Sequence, residues 1–124
     1  MSFAAWRIVH RFASGFIALA GLVHSVLTAV MYSHWGPDAL WFLGSGLSLV
    51  FLAAMNWAHV GLEPCRMPTA PVVRYASVVY AVFGVAAVAA VSQPHVWLLA
   101  GALVTQAVAG FFTLLGPEAR VPSH

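Results

Sequence analysis

The sequence predicts an all-α protein, a bundle of four transmembrane helices with both termini on the cytoplasmic side. Three observations lead there. Of the 124 residues, 62% are hydrophobic and 6% are charged, where a soluble domain carries about 25% charged residues to cover its surface. A mean hydropathy of +0.92 agrees. The charges also lie at span-length intervals. No Asp, Glu, Lys or Arg occurs between Arg11 and Asp38, between Asp38 and Glu63, or between Arg74 and Glu118. A crossing takes about 20 mostly apolar residues, so the first two stretches each hold one helix. The third is broken by Ser92-Gln93-Pro94-His95 and holds two.

The first helix is expected over 12–32. Ala18-Leu19-Ala20 resembles a signal-peptide cleavage site, but only about six apolar residues precede it, short of the roughly 7–15 of such a segment. An uncleaved first helix is therefore expected. Ser33-His34-Trp35-Gly36-Pro37 should turn the chain, and Asp38 suits the start of a second helix over 38–58, where a carboxylate accepts free backbone N–H groups. The loop from His59 to Pro71 carries Pro64, Pro68, Pro71, Glu63, Cys65 and Arg66. A third helix is expected over 72–91. Pro94 suits the opening turn of a fourth, over 95–115, which Gly116-Pro117 ends.

Orientation follows from the arginines. With four spans, Arg7, Arg11, Arg66, Arg74 and Arg120 all fall on one side, and that side stays cytoplasmic. Trp6, Trp57 and Tyr75 mark the same boundary, while Tyr32, Trp35, Trp41 and Trp97 mark the other. The expected location is a bacterial-type inner membrane, and the whole chain, 1–124, is read as one membrane domain.

Five arginines spread along the chain do not make the clustered basic face of a nucleic-acid binder. The single cysteine, Cys65, allows neither an internal disulfide nor a multi-cysteine metal site. No catalytic motif is present, and no enzymatic activity is expected.

Polar residues in spans point inward, because they seek partners on neighbouring helices. His10, Ser14, Gly21, His24 and Thr28 form a stripe on the first helix, with Ile17 between them. On the second, Trp41, Gly44, Ser45, Ser48, Leu52, Met55, Asn56 and His59 form another. The third offers Ser77, Tyr80 and Gly84, and the fourth Gln106, Gly110 and Thr113. Counting about 1.5 Å per residue from the boundaries places His24, Ser48, Tyr80 and Gln106 at similar depth near the midplane. A polar cluster of His24, Thr28, Ser48, Tyr80 and Gln106 is therefore expected. It would either glue the helices together or bind a small, lipidic or proton-linked ligand, since an ionisable residue in a span suggests function.

Two further constellations are candidates. His10 and His59 could hold one b-type haem near the cytoplasmic surface. His34, Asp38 and His95, all on the opposite side, could bind a transition metal.

His10-Arg11-Phe12-Ala13-Ser14-Gly15 resembles the His-Arg-x-Ser-Gly stretch in the cytochrome b anchor of succinate dehydrogenase, a resemblance that implies a quinone site at the start of a helix. Here one extra residue separates the Arg from the Ser, and four spans replace three. Ala39-Leu40-Trp41-Phe42, Gly44-Ser45-Gly46-Leu47 and Asn56-Trp57 resemble segments of small uncharacterised bacterial four-helix membrane proteins. That resemblance implies an architecture alone. Small multidrug transporters share this size, but they rely on a glutamate within the first helix, and the carboxylates here are Asp38, Glu63 and Glu118.

The expected function is that of a small non-enzymatic accessory or ligand-binding bundle centred on His24, with no cofactor. One alternative is a redox-associated subunit binding a quinone or one haem b; another is a small-solute transporter. Expected partners are the lipid bilayer and a second copy or a larger membrane complex, without nucleic acid. Gly44, Gly46, Gly101 and Gly110 are small enough to allow self-association.

Overall fold

The computed structural model describes residues 2–61, 70–91 and 93–114. It contains four helices: α1 (Phe3–Met31), α2 (Pro37–Gly61), α3 (Ala70–Ala90) and α4 (Pro94–Leu114). Each is long and apolar enough to cross a membrane. Glu63, Cys65, Arg66, Glu118 and Arg120 lie outside the described residues.

α1 begins nine residues earlier than its apolar stretch suggests. Ser2 caps it, its hydroxyl accepting from the Ala5 N–H at 3.3 Å, and neither Gly nor Pro interrupts the chain before Gly15. At 29 residues the helix is roughly 43 Å long, more than the roughly 30 Å of hydrocarbon. The excess is the turn pair that carries Arg7 and Arg11. α2 opens with Pro37 in its first turn, where the missing N–H costs nothing, and Asp38 is exposed beside it. α4 opens on Pro94 in the same way, and the carbonyl of Gln93 before it accepts from the Val96 and Trp97 N–H groups.

α1 lies against both α2 and α4, and α3 against α4, whereas α2 and α3 make a lesser contact. The early turns of α1 and α3 meet the late turns of α2 and α4, so successive helices run in opposite directions.

The apolar centre consists of Ile17, Leu49, Leu52, Ala53, Ala81 and Leu103. The outside is more apolar still: Phe12, Trp41, Phe83 and Tyr75 are each more than 70% exposed. A soluble fold would bury such side chains. Here they form the outer surface, and several polar residues are the ones turned inward.

The inward face of α2 differs from the expected stripe. Ala39, Gly46, Leu49, Leu52, Ala53, Asn56 and His59 are buried, while Trp41, Gly44, Ser45 and Met55 are exposed. The serines explain the error. A helical serine can satisfy its hydroxyl on its own backbone one turn earlier. Ser45 donates to the Phe42 carbonyl at 2.7 Å and Ser48 to the Ser45 carbonyl at 2.8 Å. Neither requires a partner on a neighbouring helix.

Gly21 and Gly46 occupy the contact between α1 and α2. A β-carbon on Gly21 would lie 2.6 Å from the Gly46 carbonyl oxygen, and one on Gly46 would lie 2.8 Å from that of Gly21. Only glycine on both helices permits this approach. Gly84 does similar work against α4, facing Ala100 and Leu103. By contrast, a β-carbon on Gly44 or Gly101 would meet nothing within 4 Å.

Candidate functional site

The buried polar residues gather toward the arginine end, below the apolar centre. His10, Ser14, Asn56, Ser77, Gln106 and Thr113 come from all four helices, and each is at most 5% exposed. Helical spacing puts His10 and Ser14 on one face of α1, and Gln106 and Thr113 on one face of α4.

The donors and acceptors can be followed atom by atom. His10 Nε2 donates to Asn56 Oδ1 at 2.9 Å. Asn56 Nδ2 spends its two hydrogens on the Leu52 carbonyl at 2.9 Å and on Ser77 Oγ at 3.0 Å. Ser77 in turn donates to the Val73 carbonyl at 2.9 Å. One chain of bonds thus links α1, α2 and α3, and it bridges the lesser contact between α2 and α3.

A second chain links α1 to α4. Gln106 Nε2 donates to Ser14 Oγ at 2.8 Å, and Ser14 donates to the His10 carbonyl at 2.9 Å. Thr113 Oγ1 lies 3.5 Å from His10 Nδ1, at the limit of a hydrogen bond, and donates to the Gly110 carbonyl at 3.0 Å. Gly110 leaves room for the imidazole: its β-carbon would lie 3.3 Å from His10 Cε1.

Three buried polar atoms lack a partner among the described residues: Gln106 Oε1, His59 Nδ1 and Arg74 Nε. The guanidinium of Arg7 ties down the end of α2, with Nη2 donating to the Val60 carbonyl at 2.9 Å. That carbonyl belongs to the last turn, where no intrahelical donor remains.

The five residues expected at the midplane do not converge on His24. His24 Nε2 donates instead to Ser45 Oγ at 3.0 Å, and its ring stacks on Phe42 with centroids 3.6 Å apart. Thr28 is buried but donates to the His24 carbonyl. Ser48 is satisfied within α2, Tyr80 is half-buried, and Gln106 belongs to the network around His10. The equal-depth count failed because depth alone does not say which way a side chain points.

The candidate haem ligands are buried, His10 completely and His59 at 5% exposure. Both ring nitrogens of His10 face protein side chains, and Gly110 lies against its edge. His34, Asp38 and His95 are exposed. Among the described residues, no three His, Cys, Asp or Glu side chains come together in a group able to hold a metal. The spacing of these three residues carried no information about how the loops meet.

The residue that depth counting undervalued is Asn56. The signal was present: an amide in a span has two donors and an acceptor to satisfy, more than a serine that can bond its own helix.

No protein-family model, curated protein or solved structure matches the chain.

Proposed function

We propose that this chain is a non-enzymatic four-span protein of a bacterial-type inner membrane, with both termini cytoplasmic, serving as an accessory subunit. The reading rests on one observation. The interior polar groups of all four helices are spent largely on one another, from Gln106 through Ser14 and from His10 through Asn56 to Ser77. A transport path needs polar groups that face a passage, and these face each other. Such an interior suits a rigid scaffold that presents its outer surface to lipid, to a second copy or to a larger membrane complex.

The arginine distribution supports the orientation. A cysteine introduced at Trp35 should react with an impermeant reagent from outside the cell, while Cys65 stays protected. The reverse pattern overturns the orientation. Proteoliposomes carrying the protein and a pH-sensitive dye should show no proton flux above protein-free vesicles. A flux that Gln106→Leu abolishes would replace the scaffold reading with a transport function. Self-association is tested by mass: a strictly monomeric species in mild detergent at high concentration refutes it.

A further inference from the structure

An open groove runs down the outer surface of the bundle from the arginine end. Arg11, Phe12, Gly15, Phe16 and Leu19 of α1 and Trp57 of α2 line a volume of about 340 Å³. Arg11 and Leu19 are eight residues apart, roughly 12 Å along the helix axis. Half of a roughly 30 Å hydrocarbon core is about 15 Å. The groove is thus one leaflet deep, with Arg11, the one cation among its described lining residues, at the headgroup end and apolar walls below.

Its floor is Gly15. A β-carbon there would meet only Trp57 Cζ3, at 3.6 Å, so the missing side chain leaves the space above the helix open. Phe12, Phe16 and Trp57 stand around it partly exposed rather than folding over it. Among the described residues, the lining holds no carboxylate that would receive the ammonium of a zwitterionic headgroup.

We propose that this groove binds one anionic phospholipid, with its phosphate on the Arg11 guanidinium and one acyl chain along Gly15 between Phe12, Phe16, Leu19 and Trp57. Guanidinium pairs with phosphate through two parallel hydrogen bonds, and its planar fork is already shaped for them. The chain gains contact with aromatic walls that a flat helix surface does not offer. The site is independent of the scaffold role and of which leaflet the arginine end occupies.

The test uses the full chain reconstituted in vesicles of equal phosphatidylglycerol and phosphatidylcholine, then released into mild detergent for native mass spectrometry. One phosphatidylglycerol adduct is expected, favoured about tenfold over phosphatidylcholine, the equilibrium ratio of a single strong charged contact. Arg11→Gln should bring that ratio to about one, while Arg11→Lys keeps part of it. Gly15→Leu should remove both adducts, with unchanged helical circular dichroism confirming the fold. Arg120→Gln, which removes the same charge from the C-terminal segment, should leave the ratio unaltered. Equal retention of the two lipids by the unmodified chain overturns the proposal. So does a preference that survives Arg11→Gln, or one that Arg120→Gln lowers equally. Recovery of an isoprenoid quinone as the adduct overturns it as well.

Discussion

At the arginine end, His10, Asn56 and Ser77 join three helices through side-chain hydrogen bonds, and Gln106 brings in the fourth. Toward the other end, Gly21 and Gly46 bring α1 and α2 together backbone to backbone, with no side chain between them. The first region is held by directional bonds that demand particular partners. The second is held by close contact, which demands only the absence of bulk. In lipid both are needed, because hydrocarbon gives helices no hydrophobic reason to associate. The difference teaches that a polar residue and a missing side chain can do the same work, and that they fail differently when replaced.

The largest loss should come from Gly46→Val. Its β-carbon alone would lie 2.8 Å from the Gly21 carbonyl oxygen and 2.9 Å from the Ser25 amide nitrogen, and backbone atoms cannot swing aside. A cost of roughly 3 kcal/mol is expected, read as a fall in unfolding free energy in detergent micelles. Stability within about 0.5 kcal/mol of the parent would remove the glycine contact from the comparison.

Asn56→Leu should come next. It strands His10 Nε2 and removes the link across the α2–α3 contact, for roughly 2 kcal/mol. Bonds of this kind in membranes average only about 0.6 kcal/mol each, so the loss reports two or more bonds together. A double-mutant cycle with Ser77→Ala should show coupling; additive losses would mean that the chain of bonds is not a unit.

The histidines sharpen the comparison. His10→Ala should cost about 1.5 kcal/mol and His24→Ala under about 0.5 kcal/mol, because only His10 is fully buried within a network. The opposite order in thermal melts would restore His24 as the centre of the interior. The smallest effect is a gain. Gly44→Ala and Gly101→Ala place a methyl group in open space and should each stabilise the helix by about 0.5 kcal/mol. Destabilisation would show instead that these glycines face another copy.

The four long apolar helices, the turn at Gly36-Pro37 and the break before Pro94 were legible in the sequence. They depend on chain length, charge and backbone chemistry, which act locally. The start of α1 was not, since apolar counting stops at Arg11 while Ser2 keeps the helix going. Gln106 and Thr113 were legible as inward residues on α4, but their partners were not. Ser45 and Ser48 look alike in a sequence, and both donate to their own helix, but Ser45 alone also meets a partner across the contact, His24. Which polar residue reaches across is decided by rotation about the helix axis and by what each side chain can satisfy at home. A single sequence encodes the second of these more plainly than the first.

The bond from Gln106 to Ser14 joins residues 92 positions apart in the chain. In the order of synthesis α1 precedes α4. Until α4 arrives, the hydroxyl of Ser14 has only the His10 carbonyl to engage, and the α4 side of the His10 ring is uncovered. A nascent chain of three spans is therefore recognisably unfinished. Released early, it would present a polar seam to lipid, the kind of defect that membrane proteases and insertion chaperones detect. A chain truncated after Gln93 should accordingly be degraded faster than the full-length protein in a pulse–chase experiment. The same bond that tightens the bundle thus forms only once α1 and α4 are both present.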